Sequence, residues 1–354
     1  MAEQNKIISW LDERYPVNQL FDFMRKKQVP VHKFSFWYYM GGVALFLFII
    51  QVCTGILLLL YYKPGEESSY ESIRFLMNEV HFGWLIRSLH SWSANLMIFF
   101  VFVHMFSTFF TRAFKKPREL TWVSGFILLS LALTFGFSGY LLPWNELSYF
   151  ATKVGTDIVG VVPGIGETLK VLLRGGEDVS GGTLVRFFAI HIAILPALFT
   201  AILLLHLLFV QIQGMHEPEE YTALPPEKKK TIPFFPNFAL RDALLWLIVL
   251  NILLFLAVYF PWELGLKADP FAPAPQGIRP EWYFMFMFQT LKLLPSHILF
   301  IEGEQLGVIV FGIGAVLWML VPFWVPARRK KMIKIIGVVI IVYILIMTIL
   351  GYVL

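Results

Sequence analysis

Apolar positions along the 354-residue chain gather into seven long runs, separated by shorter stretches rich in charge, Pro and Gly. The runs lie near Trp37–Tyr62, Trp84–Phe110, Thr121–Leu142, Leu184–Ile212, Asp242–Phe260, Gln305–Val325 and Ile335–Leu354. A helix needs about 20 apolar residues to cross a hydrocarbon core, and each run approaches or exceeds that length. The pattern predicts an all-α integral membrane protein with seven transmembrane helices, four followed by three. Residues 1–35 are amphipathic, with Ile7, Ile8, Leu11, Leu20, Phe21 and Phe23 set among charges, and are expected along the cytoplasmic interface. Residues 36–213 form the first part. Residues 214–236, from Gly214 to Pro236, read as a linker, and residues 237–354 as the three-helix part.

Composition agrees: 57% of residues are hydrophobic and only 15% charged, far from the balance of a water-soluble domain. The polar first forty residues predict no cleaved signal peptide. One cysteine, Cys53, allows neither an internal disulfide nor a cysteine-held iron–sulfur cluster within the chain. Charge is informative through its placement. With the N-terminus in the cytoplasm, 19 of the 29 Lys and Arg fall on the cytoplasmic side, among them Arg25–Lys27, Lys115–Arg118, Lys228–Lys230 and Arg328–Lys331. The opposite, positive (p) side receives the two longest connections, from Pro143 to Thr183 and from Pro261 to Glu304. Long loops held by a rigid scaffold are a common place for a site.

Eight histidines divide evenly. His32, His81, His216 and His297 fall in loops or at helix ends, where a solvated side chain is the ordinary reading. His90 and His104 lie in the second helix, His191 and His206 in the fourth, at depths where a polar group is costly and points to function. Fourteen residues at about 100° each leave His104 about 40° short of His90, and fifteen leave His206 about 60° past His191. Each pair therefore shares a face, about 21–22 Å apart along its helix. Because the two helices run the same way, His90 pairs with His191 on the p side and His104 with His206 near the cytoplasm. Zinc would need further Cys, Asp or Glu ligands. A planar macrocycle with two axial imidazoles fits better. Four separately hydrogen-bonded histidines are the alternative.

Glycines follow the same register. Gly41 and Gly55 in the first helix, and Gly125 and Gly139 in the third, are fourteen residues apart and match the two histidine depths. Glycine suits the close approach of a flat ligand, although small residues also serve helix packing in membranes. Two stacked bis-histidine haems in a four-helix bundle are the picture these features make.

These residues, with Arg87-Ser88-Leu89-His90, Lys116–Trp122 (KPRELTW), Gly139–Trp144 (GYLLPW) and Pro280-Glu281-Trp282-Tyr283, give the chain its resemblance to cytochrome b of the quinol–cytochrome c oxidoreductases. The fifteen-residue His191–His206 spacing and the seven runs look like the photosynthetic type, here with both halves in one chain. Two positions depart from that type. Tyr39 stands where it carries a haem-anchoring cysteine and Gln211 where it has a basic residue, so no covalent haem is expected. Arg241-Asp242 looks more like the respiratory type.

The resemblance implies two non-covalent b haems, held by His90 and His191 and by His104 and His206, with Arg87 pairing a propionate. It implies quinol oxidation at the p side, Glu281 being the proton acceptor beside Tyr140 and Tyr283. Pro143, Trp144, Pro280 and Trp282 then wall the quinol pocket, with Phe286 and Leu291 as further lining. Arg241 and Asp242 would serve a cytoplasmic quinone site. Implied partners are a Rieske iron–sulfur protein, a c-type cytochrome and a second copy of the complex in a bacterial-type inner membrane, with no nucleic acid. A haem-b anchor subunit of a dehydrogenase, or a transporter relaying protons through buried histidines, are the rival readings.

Overall fold

The computed structural model describes residues 6–15, 18, 19, 22, 26–326 and 329–354. Six helices are long and apolar enough to cross a membrane: Ser35–Leu59, Gly83–Thr111, Glu119–Leu141, Gly181–Gln213, Phe234–Tyr259 and Lys330–Val353. They are the first, second, third, fourth, fifth and seventh of the expected series. In lipid only a structure that satisfies its own backbone can span, which is why the apolar runs become continuous helices. Their outer faces stay apolar: Leu204, Leu208 and Ile212 form an exposed i, i+4, i+8 stripe on the fourth helix.

The sixth run is shorter than expected. Its helix, Gly303–Met319, has 17 residues, about 25 Å at the usual rise. A separate turn, Val321–Trp324, follows it. Pro322 explains the break, since it has no N–H to return to the carbonyl four residues back. That carbonyl, on Trp318, instead accepts the Trp122 indole N–H at 3.2 Å, and the Leu317 carbonyl accepts Trp324 Nε1 at 2.8 Å.

The first helix packs on the second and the third on the fourth, while the fifth lies against both the first and the second. Between the two histidine depths sits one apolar layer: Val43, Leu47, Met97, Ile98, Leu128, Ala132 and Phe199, closed by Val249, Leu253 and Tyr283. Each of the first four helices contributes to this layer from the interval between its own two register positions.

Both long p-side connections are folded. The first holds helices Glu146–Gly160 and Gly166–Arg174. Arg174, 2% exposed, joins them by donating to Thr156 Oγ1, the Lys153 carbonyl and Asp157, each at 2.8 Å. The second holds helix Trp282–Leu293 and a two-residue hairpin, His297–Ile298 with Ile301–Glu302. The connections are stitched together: Asn145 Nδ2 donates to the Leu264 carbonyl at 2.7 Å and the Ala268 N–H to that of Trp144 at 3.0 Å.

At the other face the 214–236 segment is ordered and docked, more than a simple tether. Thr231–Pro233 pairs antiparallel with Gln28–Pro30, so part of the N-terminal segment is held in a sheet. Of the rest of that segment, Lys6–Asp12 is helical. The Ile7 and Ile8 side chains, Leu20, Phe21, Phe23 and Arg25 lie outside the described residues, as does Arg328. Glu219 receives Arg112 at 2.7 Å, Lys115 at 2.8 Å and Lys330 at 2.7 Å. The hydrogen bonds from Lys115, then Lys330 and Arg112, hold its carboxyl well below the usual carboxylate range.

A depressed carboxyl contributes above the ordinary carboxylate range and loses its effect as pH falls through the lowered value, so at neutral pH the full contribution is present. Glu219 is solvent-accessible, so the contribution is screened. Glu219→Gln is therefore expected to speed tryptic cleavage at Lys228–Lys230 at low ionic strength and neutral pH, with the difference closing in about 1 M salt. Equal cleavage rates at low salt would show that another contact docks the segment.

Candidate functional site

Three of the four membrane-depth imidazoles are fixed through Nδ1 by a hydroxyl. Thr54 Oγ1 lies 2.9 Å from His90 Nδ1, Ser138 Oγ lies 3.0 Å from His191 Nδ1, and Ser124 Oγ lies 3.0 Å from His206 Nδ1. Each hydroxyl has its own proton directed elsewhere: Thr54 to the Ile50 carbonyl at 2.6 Å, Ser138 to that of Phe135 at 3.2 Å, Ser124 to that of Thr121 at 3.0 Å. A hydroxyl has one proton and spare lone pairs. With the proton spent on the backbone, the oxygen accepts, Nδ1 carries the ring proton, and Nε2 is left with a free lone pair. These hydroxyls were missed from the sequence, yet each directly precedes a register glycine.

The glycines serve the imidazoles themselves. A methyl group added at Gly41 would sit 3.1 Å from His104 Cε1; at Gly55, 3.4 Å from His90 Cε1; at Gly125, 3.2 Å from His206 Cε1; and at Gly139, 2.7 Å from His191 Cε1. The fourteen-residue register thus leaves room beside the imidazole rings, at the depths where the sequence suggested the approach of a flat ligand.

His191 lies in a π-helical turn, Ile190–Ile194, and the Leu195 N–H reaches back to the Ile190 carbonyl. A π turn holds one residue more than an α turn. Fifteen residues containing that turn cover the bearing of fourteen regular ones, so the fourth helix presents its histidines with the same offset as the second.

His90 and His191 have ring centroids 6.4 Å apart. His104 lies within electrostatic reach of His206. Among the described residues no cluster of three or more His, Cys, Asp or Glu forms a metal site. The donor set of each pair is two neutral imidazoles, which suits a metal bringing its own equatorial ligands.

At the p-side loops Glu281 caps helix Trp282–Leu293. It interacts electrostatically with Tyr140, Tyr283 and Tyr352, and Arg279 donates to the Tyr352 carbonyl at 3.1 Å. Burial raises the Glu281 carboxyl, and burial followed by the charge of Glu281 raises the Tyr283 phenol well above its usual value. Tyr283 is 5% exposed and its hydroxyl occupies the space a side chain at Gly136 would take.

Other expected neighbours stand elsewhere. Trp144 is completely buried, packed edge-on to Tyr149 at 5.5 Å, and supports the loop. Trp282 turns its indole to Asn95 Oδ1 at 2.8 Å, Phe286 faces Phe311 and Tyr343, and Leu291 meets Gly307. Pro143 and Pro280 are half-buried at the loop junctions. Arg87, 6% exposed, donates to the carbonyls of Trp262 and, at 3.1 Å, Glu263. Its two terminal nitrogens hold the loop, at the position where the sequence suggested a propionate cation.

At the opposite face the fifth helix is regular from Ala239, so Arg241 and Asp242 sit inside its first turn and point apart. Arg241 lines a cavity of about 410 Å³ with Phe36, Tyr39, Phe238, Leu244 and Ile248. Asp242 does not line it. Its carboxylate occupies the space beside Gly42, with Oδ1 buried and the Trp246 indole N–H as its neighbour. Tyr39 stacks on Phe238 with centroids 4.6 Å apart.

Gly139 has the least room of the four register glycines, so Gly139→Ala should displace His191. A shifted or lost low-spin haem signal at one pair in purified protein is the expected result. An unaltered spectrum would show that the ring has room to move.

Residues 25–214 match the family model for cytochrome b/b6/petB and residues 267–354 that for the C-terminal part of cytochrome b, b6/petD. A cytochrome bc complex cytochrome b subunit of Chlorobaculum thiosulfatiphilum is 49% identical over 352 residues, 98% of this chain and 81% of that protein. Cytochrome b6 of Heliobacterium modesticaldum is 43% identical over 212 residues, 60% of this chain and all of that one. A solved hyperthermophilic respiratory complex III contains a chain of 30% identity and TM-score 0.87, covering 98% of this chain and 91% of that one. With both halves present in one polypeptide, and with membrane-length helices carrying its paired histidines, this chain belongs to the cytochrome b/b6 family.

Proposed function

We propose that the chain is the quinol-oxidising, electron-transferring subunit of a bc-type quinol–cytochrome c oxidoreductase. The observation that carries the reading is the pair of imidazole brackets, His90 with His191 and His104 with His206, in which three of the four rings are fixed by a hydroxyl that leaves Nε2 free. Each bracket would hold one non-covalent haem b. When bound, the haems supply a one-electron path across the membrane. The residues of the chain set its ends. The distribution of Lys and Arg supports a cytoplasmic N-terminus, and with seven spans Glu281 then stands at the p face.

A quinol gives up two protons and two electrons. Glu281, its proton affinity raised by burial, takes a proton from the quinol hydroxyl and passes it outward, while Tyr140 and Tyr283 shape the surroundings. The electrons leave singly, one to a Rieske iron–sulfur partner that delivers it to a c-type cytochrome and one into this chain. The Arg241-lined cavity is the chain's quinone-reducing end, with Asp242 as a buried proton carrier behind it. Proton release outside and uptake inside build a gradient, and the complex works as a homodimer.

Glu281→Gln tests the reading. The amide can still hydrogen-bond a quinol but cannot accept its proton. Quinol-to-cytochrome c electron transfer in membranes should fall more than tenfold while the b-haem spectrum is unchanged. Wild-type turnover should climb as pH rises through the elevated Glu281 range, and the variant should lack that limb. Near-normal turnover would remove Glu281 from the chemistry, and no b-haem absorption band in the wild type would favour a histidine-bearing transporter.

A further inference from the structure

The hydroxyls that fix the imidazoles follow the fourteen-residue register as strictly as the glycines do, with one exception. Thr54 precedes Gly55, Ser124 precedes Gly125 and Ser138 precedes Gly139, but Met40 precedes Gly41. Its ring is His104, and His104 Nδ1 is buried with no hydrogen-bond partner among the described residues. Met40 is 5% exposed and packs with Val29, Tyr39 and Phe238; at the register position where the other three rings meet a hydroxyl, beside a glycine whose added methyl would lie 3.5 Å from His104 Nδ1, it offers no acceptor hydroxyl.

An Nδ1–H that donates to an acceptor pushes electron density into the ring and makes Nε2 the stronger base. A more basic axial ligand stabilises the oxidised, more positive metal and lowers its reduction potential. His90 and His191 both donate to a hydroxyl. In the other pair His206 donates to Ser124 and His104 donates to no described residue. We infer that Met40 is a positioning residue for redox poise: by withholding a hydroxyl from His104, it raises the potential of the group held by His104 and His206. The direction suits an electron entering at the opposite pair, because it makes the crossing downhill. The inference rests on the proposed haem ligation, and it assigns Met40 and the three hydroxyls a role that ligation alone does not require.

The experiment is redox titration of the b-haem absorption bands in membranes containing the whole complex. Met40→Ser should lower the midpoint of the haem at the His104–His206 pair, shifting its oxidised-to-reduced ratio at fixed potential about tenfold, or 59 mV for a one-electron couple. Ser124→Ala should raise the midpoint of the same haem, and Ser138→Ala that of the other haem alone. Met40→Leu, which keeps the apolar volume, should move neither, so a mere packing change is separated from a hydrogen-bond effect. If Met40→Ser fails to accumulate, the two serine variants still decide. Both haems retained with unmoved potentials in Met40→Ser or Ser124→Ala, or equal shifts in Met40→Leu and Met40→Ser, overturns the inference. Absence of b haem from the wild-type complex would instead overturn the ligation on which it rests.

Discussion

An imidazole inside a membrane must settle which of its nitrogens carries the proton, and most of this architecture follows from how that is settled. Burial disfavours the charged ring, so each histidine is neutral with one donor and one acceptor nitrogen. Thr54, Ser124 and Ser138 accept from Nδ1 while their own protons go to carbonyls of their own helices. That arrangement costs no extra polar group at depth. It also ties the ring's orientation to the neighbouring helix: the first helix aims His90 and the third aims His191 and His206. Glycine at the next position then lets the two backbones close on the ring.

The two pairs are kept apart by the apolar layer around Leu47, Met97, Leu128 and Phe199. Its buried members are hydrocarbon, thioether and aromatic side chains, with the Tyr283 phenol the one hydroxyl among them. The two ends of the bundle differ. At one end the Glu281 carboxylate sits among phenols at a loop junction, and at the other Arg241 borders a cavity that Asp242, with one carboxylate oxygen buried, does not line.

Periodicity alone was enough to locate the helices and the histidine pairing, because membrane spans must be continuous and a shared face needs only arithmetic. What it could not reveal depended on contacts between distant segments. The hydroxyl–glycine dipeptides carried a readable signal, but their meaning appears only when a ring from another helix is seen against them. Trp144 reads from the sequence only as part of the Gly139–Trp144 motif; its position inside the Tyr149–Leu184–Phe187 cluster depends on the packing of a loop helix against the fourth helix. Pro322 was visible as a helix breaker, and the apolar residues beyond it still lengthened the sixth run on paper. The π turn at Ile190–Ile194 had no sequence signature beyond the one-residue excess between His191 and His206, which it now explains.

The p-side loops are tied to the histidine helix more directly than their sequence distance suggests. Arg87 and Ser88, one turn ahead of His90, reach the carbonyls of Trp262, Glu263 and Ala257, and Trp92 reaches that of Phe260. The chain leaving the fifth helix is therefore clamped to the turn that carries His90. Trp282, immediately after Glu281, is clamped to Asn95 on the same helix. The Glu281 carboxylate and the His90 imidazole, which the proposed function assigns to proton and metal, are thus held by one rigid element, the second helix. A change in loop position at Glu281 would have to work against those bonds, so the distance between Glu281 and the nearer imidazole pair is set by side chains of a single helix and not by the loops themselves.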